Sequence, residues 1–157
     1  MTRFKALMPA VIAISFTAAV AADAPKQGDD KEDVKKLQGT WQVIKFIGSN
    51  EEAAPAEVNA HLTLEFKGDH LILRNNKEDG GKEMKYKVDV AKKPKAIDMM
   101  DMDGPVVSEG IYKLDRAELT ICATDSRRDA KRAARPSEFK ASKRDKYSLF
   151  VLKKVEK

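Results

Sequence analysis

From residue 40 onward, apolar and polar side chains alternate over most of the chain. The clearest run is 82–90, in which one face carries charged residues and the other carries Met84, Tyr86, Val88 and Val90. A period of two is typical of a β-strand with one buried face. The same pattern predicts eight strands, at residues 40–47, 61–66, 70–74, 82–90, 96–100, 110–114, 118–123 and 147–153.

Short turn sequences join most of these strands. Residues 67–69 read Lys-Gly-Asp, residues 115–116 read Asp-Arg, and 75–81 is a loop rich in Asn, Asp and Gly. Antiparallel strands joined by hairpins bury one face of each strand by closing on themselves, which also removes exposed edges. The pattern therefore predicts an all-β fold, an eight-stranded antiparallel up-and-down barrel, with a sandwich of two sheets as the alternative.

The segment before the first strand predicts a short N-terminal helical turn. Asp33 is placed as its N-cap, Val34 and Leu37 lie three residues apart on one face, and Gly39 ends the turn. Residues 23–32 before it are polar and contain Pro and Gly, which predicts a disordered lead-in. The folded domain is expected to span 33–155.

Residues 1–22 have the composition of a Sec-type signal peptide. A basic start with Arg3 and Lys5 is followed by an apolar stretch at 6–20 and then by small residues, which predicts cleavage after Ala21 or Ala22. The apolar stretch is shorter than the ~20 residues that a membrane-spanning helix needs. We therefore expect a periplasmic or extracellular protein with no transmembrane segment after cleavage.

Gly39 and Trp41 open the first strand as Gly-x-Trp, which resembles the start of the lipocalin barrel. With four internal stretches and the closing strand, the chain resembles a family of small lipocalin-like domains of unknown function that are common in planctomycetes. The resemblance covers about 33–154 and rests on residues 37–41, 93–98, 110–115, 119–122, 135–139 and 149–154. It implies a lipocalin-like barrel in a secreted context, with no catalytic or ligand residues to transfer. The segment 122–135 is longer and more basic than the family pattern.

In a barrel of this kind, Trp41 is expected to plug one end, with Gly39 beside it. The inner face would then be lined by apolar side chains from several strands, namely Phe66, Met84, Tyr86, Tyr112 and Phe150, together with Leu64 and Met99. An eight-stranded barrel is at the size where such side chains either fill the interior or leave room for one small ligand. Both alternatives remain open from the sequence.

The segment 124–146 is strongly basic. It holds nine cations and four acids, and its candidate patch for an anionic surface consists of Arg127, Arg128, Lys131, Arg132 and Arg135. Lipid headgroups, an acidic polysaccharide or an acidic protein would fit this charge, while a solvated loop is the simpler interpretation. Nucleic acid is not expected as a partner, because the segment has a single aromatic side chain, Phe139, on which a base could stack.

No pattern in the chain predicts catalysis. His61 and His70 lack the spacing of a metal motif, and the acidic stretch 98–104 fails the EF-hand template at both ends and reads as a turn. Cys122, the single cysteine, is expected to be a small buried side chain. We therefore expect neither an enzyme, a cofactor nor a metal site. The leading hypothesis is a non-catalytic interaction or structural module of the envelope; the alternative is a binder of a small apolar ligand inside the barrel.

Overall fold

The computed structural model describes residues 28–75, 80–124 and 133–156. Within them, eight antiparallel strands form a closed barrel in sequential order, which confirms the predicted fold class and excludes the sandwich. The strands are β1 (Gly39–Ile47), β2 (Thr63–Lys67), β3 (His70–Arg74), β4 (Lys82–Asp89), β5 (Ala96–Met100), β6 (Val106–Asp115), β7 (Glu118–Thr124) and β8 (Tyr147–Lys154). Two helices accompany them, α1 (Gly28–Leu37) and α2 (Ala56–His61).

The first and last strands close the barrel. β1 pairs with β8 from Trp41 opposite Lys154 to Ile47 opposite Leu149, and with β2 on its other side. A bulge interrupts the β1–β8 ladder between Val43 and Lys45. Each of the eight described strands therefore has a neighbouring strand on both sides.

Helix α1 begins earlier than the sequence predicts. It starts at Gly28, so residues 28–32, expected to be part of a disordered lead-in, are helical. Asp33 is therefore an interior residue of the helix and not its N-cap. Residues 1–22, predicted to be a signal peptide, and residues 23–27 lie outside the described residues.

Two other boundaries differ from the prediction. His61 ends α2 and is not part of β2, because Pro55 starts a six-residue helix there. β6 begins at Val106 and not at residue 110, since a bulge at Met99 and Met100 lets the pairing with β5 continue. Among the described residues, neither helix has the length and apolar composition needed to cross a bilayer.

The core lies inside the barrel. Inward-facing side chains from all eight strands join Leu37 of α1 in one continuous cluster. Its largest fully buried members are Trp41, Tyr112 and Phe66. Burial of this apolar surface is the main favourable contribution to folding.

A second packed layer lies on the outside of the barrel. Ala96, Ile111 and Cys122 are neighbours on the outer faces of β5, β6 and β7, yet they are 2%, 1% and 0% exposed. Residues 133–142, which we call the strap, cross the sheet here; they contribute the buried Pro136 and Ala141. The Cys122 thiol contacts the carbonyl of Lys140 at 3.4 Å.

Candidate functional site

The side chains predicted to face the barrel interior do so. Phe66, Met84, Tyr86 and Tyr112 are all buried members of the inner cluster, and Phe66 meets Tyr86 edge-on with ring centroids 4.9 Å apart. Phe150 is only half-buried. It lies toward the end of the barrel away from α1 and stacks on Phe46 at 4.6 Å.

The end of the barrel next to α1 holds a buried polar group that connects the helix to the strands. The Asp33 side chain accepts a hydrogen bond from the Tyr112 hydroxyl at 2.6 Å and one from the Lys95 ammonium at 2.7 Å. Both donors reach the same oxygen, Oδ2. A buried carboxylate with two such donors is stabilised in its ionised form.

The titration of these groups follows from that geometry. Burial opposes the charge of Asp33, but the bonds from Lys95 and Tyr112 outweigh it and hold the pKa of Asp33 below its usual range. For Tyr112, burial and the Asp33 carboxylate both raise the pKa far above its usual range. At neutral pH the pair is therefore a carboxylate and a neutral phenol.

Gln38 makes a second polar connection at the same end. Its amide oxygen accepts from the Gly68 backbone N–H at 2.7 Å, and its amide nitrogen donates to the Tyr86 hydroxyl at 3.0 Å. Tyr86 in turn donates to the Gly68 carbonyl at 3.0 Å. Asp30 adds a third connection, since it accepts from the Val90 N–H at 2.9 Å. Asp30 and Asp33 of α1, together with Gln38 directly after it, thus hold this end of the chain to the barrel.

Trp41 lies at this end of the barrel, as predicted for a plug. It is fully buried, and its indole N–H donates to the Leu37 carbonyl at 2.7 Å. The Lys154 ammonium lies 5.1 Å from the ring centroid, within the range of a cation–π contact. Gly39, whose φ of +108° is unfavourable for other residues, lets the chain turn from α1 into β1.

The structure corrects the assignment of Arg135 to an anion-binding patch. Its side chain is only 19% exposed and is occupied within the molecule. The guanidinium pairs with Asp98 at 2.6 Å and with Glu109 at 3.4 Å, and it donates to the Gly110 carbonyl at 2.7 Å. Because two carboxylates of this chain already neutralise it, Arg135 anchors the strap to β5 and β6.

The other four residues of the predicted patch, Arg127, Arg128, Lys131 and Arg132, lie outside the described residues. Further along the basic segment, four cations are exposed to solvent, namely Lys140, Lys143, Arg144 and Lys146. The tight loop that carries the last three is closed by the Ser142–Tyr147 bridge. An anionic partner for this segment stays a prediction.

The candidate metal residues are not brought together. His61 ends α2 and His70 begins β3, so the two lie at opposite ends of β2. Asp98 pairs with Arg135, while Asp101 lies in a turn in which the Gly104 N–H donates to its carbonyl at 3.2 Å. Among the residues that the structure describes, no group of three or more His, Cys, Asp or Glu is arranged to hold a metal ion.

Cys122 is buried, as expected. Burial raises the pKa of its thiol, which keeps it in the unreactive protonated form.

Sequence reasoning missed the roles of Asp33, Gln38 and Lys95. A signal for Asp33 exists, because it lies four residues before Leu37 and three after Asp30, the spacing of one helical face. Reading the helix back to residue 28 would have placed Asp33 on the buried face. No comparable signal marks Lys95, whose partner is 62 residues away in the chain.

Comparison with family models, with curated proteins and with solved structures found no match to this chain. The resemblance to the planctomycete lipocalin-like domains therefore stays a prediction.

Proposed function

We propose that this chain is an exported, non-catalytic lipocalin-like domain that serves the cell envelope as an interaction or structural module. In this proposal the barrel interior is a folding core and not a ligand chamber. The observation that supports it is the joining of Trp41, Phe66, Tyr86 and Tyr112 into one buried cluster.

The hydroxyl groups of the inner tyrosines strengthen this proposal. A ligand-binding cavity needs polar groups that are free to orient the ligand, and a volume of about 300 Å³ or more. Tyr112 is committed to Asp33, and Tyr86 is committed to Gly68 and Gln38. A ligand that displaced the Tyr112 ring would leave the buried Asp33 carboxylate without one of its two hydrogen bonds, which costs about 1–3 kcal/mol.

The alternative proposal, a binder of a small apolar ligand, has its support at the other end of the barrel. Four apolar side chains that pack against the core there are only half-buried, namely Phe46, Leu73, Met99 and Phe150. They would form the entrance to a chamber if the interior could open.

Titration of a fluorescent fatty acid into the purified protein tests both proposals. For a filled barrel we expect no saturable binding and no energy transfer from Trp41, the only tryptophan. The Tyr86→Asp variant should unfold, because it places an unpaired charge in the core. Ala91→Asp adds the same charge to an exposed turn and is the matched control. Saturable binding that Tyr86→Asp abolishes while the protein stays folded would overturn the filled-barrel proposal in favour of the ligand binder.

A further inference from the structure

The barrel holds two hydrogen-bond donors side by side at the end that α1 covers. The Tyr112 backbone N–H donates to the Lys95 carbonyl at 2.9 Å, next to the first paired residues of β5. This backbone bond fixes Lys95 beside Tyr112 without any contribution from α1. The Tyr112 hydroxyl and the Lys95 ammonium converge on one point, since both reach Oδ2 of Asp33, at 2.6 Å and 2.7 Å.

An ammonium and a phenol hydroxyl that converge in this way suit a carboxylate. Hydrogen bonds to an ionised acceptor are stronger than those between neutral groups, and Tyr112, at 1% exposure, has no access to water as an alternative. In the described part of the chain, Asp33 is the one acceptor found for the Lys95 ammonium and for the Tyr112 hydroxyl. Both donors therefore depend on a carboxylate that the strands do not supply.

Few apolar contacts hold the part of α1 that supplies this carboxylate. Among the helix side chains described, at 30–37, only Val34 and Leu37 are apolar, and Val34 is half-buried. Leu37 is fully buried at the end of the helix that leads into β1. The eight strands close the barrel without α1. The turns that carry Asp33 can therefore lift while Leu37 and the strands stay packed, because chain ends with few buried apolar contacts open locally.

We propose that Lys95 and Tyr112 form a binding site for the carboxylate of another molecule, and that Asp33 occupies this site as an internal ligand. An incoming carboxylate accepts the same two hydrogen bonds and so competes directly with Asp33. Helix α1 is then an autoinhibitory element, since its tether keeps Asp33 at a high effective concentration beside the site. The proposal concerns the end of the barrel, so it goes beyond the proposed function and holds whether or not the interior is filled.

Chemical rescue of Asp33→Ala by formate tests the site directly. The substitution deletes the carboxylate and leaves room for a formate ion beside Lys95 and Tyr112. We expect ~200 mM sodium formate to raise the melting temperature of this variant by about 3–5 °C more than sodium chloride at equal ionic strength. The wild type, whose site is filled, should respond equally to both salts. If the variant is unfolded, recovery of the native circular dichroism spectrum with formate is the equivalent measurement.

Two further variants separate carboxylate binding from a general effect of salt. Glu32→Ala removes an exposed carboxylate from the same helix and should respond equally to formate and to chloride. Asp33→Ala combined with Tyr112→Phe keeps the vacated space but lacks the hydroxyl donor, so formate should no longer stabilise it. An equal response of Asp33→Ala to both salts, or a rescue that persists with Tyr112→Phe, would overturn the proposed site.

A labelled peptide of residues 28–37 tests whether the carboxylate of a peptide enters the site, and it needs no variant that might fail to fold. The peptide should bind the wild type weakly, because it competes with the tethered helix, and should bind Asp33→Ala about tenfold more tightly. The same peptide carrying Asp33→Asn should bind neither protein. Formate rescue without peptide binding would support the site with a small free carboxylate as its ligand. Equal binding of the two peptides would show that the carboxylate is not recognised and would contradict the proposal.

Discussion

Asp33 shows how one residue's role depends on where its helix begins. In a helix that starts at Asp33, its carboxylate would cap backbone N–H groups at the surface. In the helix that starts at Gly28, the same carboxylate faces the barrel and is bonded by Tyr112 and Lys95. A buried carboxylate is tolerated only when such partners are present, since an unpaired one is expensive to remove from water.

We predict that Asp33→Asn lowers the free energy of unfolding by about 2–3 kcal/mol at pH 7, because the charged hydrogen bonds from Lys95 and Tyr112 are lost. The pKa of Asp33 is held below its usual value of 3.8, so its contribution is fully present above pH 3.8 and is lost as the pH falls below it. Urea unfolding at pH 7 and at pH 3 measures both effects.

The matched control for Asp33 is Glu32→Gln on the same helix. Glu32 is exposed and pairs with Lys36, one turn along the helix, so its replacement should leave the free energy of unfolding nearly unchanged. If the two variants lose equal stability, the buried pair with Tyr112 contributes nothing specific. A difference between them that is the same at pH 7 and at pH 3 would show that the carboxylate's charge is not involved.

At the scale of elements, the strap is the feature that the sequence analysis did not predict. β5, β6 and β7 contain consecutive apolar residues, at 96–97, 111–112 and 121–123. Such runs are typical of strands that are covered on both faces. They were therefore a signal that something packs outside the barrel. Charge dominates the composition of 124–146, and for this reason the segment reads as a solvated loop although its residues 133–142 form that cover.

We predict that Arg135→Met loosens the strap and lowers the free energy of unfolding by about 2–3 kcal/mol, because Asp98 loses its cation in a partly buried site. The Cys122 thiol, which the strap covers, should then react faster with a disulfide reagent under native conditions. Arg144→Met is the control, since that side chain is 93% exposed. Equal thiol reactivity in Arg135→Met and the wild type would show that Arg135 does not hold the strap.

At the scale of the whole molecule, the closed barrel and the proposed export depend on different parts of the chain. Closure gives every described strand a neighbour on both sides, and α1 covers one end of the barrel next to Trp41. Export is a proposal that rests on residues 1–22 alone. Cys122, the only cysteine in the sequence, is buried and free, so the chain has no second cysteine with which to form an internal disulfide.

We predict that protein isolated from its native host begins at Ala22 or Asp23, because a signal peptidase cleaves after a small residue that follows the apolar stretch. N-terminal sequencing of the isolated protein measures this. Replacing Ala19 and Ala21 by Arg should prevent cleavage and retain the full-length chain. A wild-type terminus at Met1 or Thr2 would contradict export by this route.

The sequence by itself indicated eight antiparallel strands and favoured a barrel over a sandwich, although the starts of β2 and β6 were misplaced. These properties depend on local signals: a period of two along each strand, turn residues between strands, and Gly39 followed by Trp41. Only the tertiary structure decided what the inward and outward side chains meet. Asp33 bonds to Tyr112 across 79 residues and Arg135 to Gly110 across 25. Such contacts arise when the barrel closes. The helical spacing of Asp33 and Leu37 indicates a buried face, but nothing in the local sequence identifies Tyr112 as the partner of Asp33 or Gly110 as the partner of Arg135.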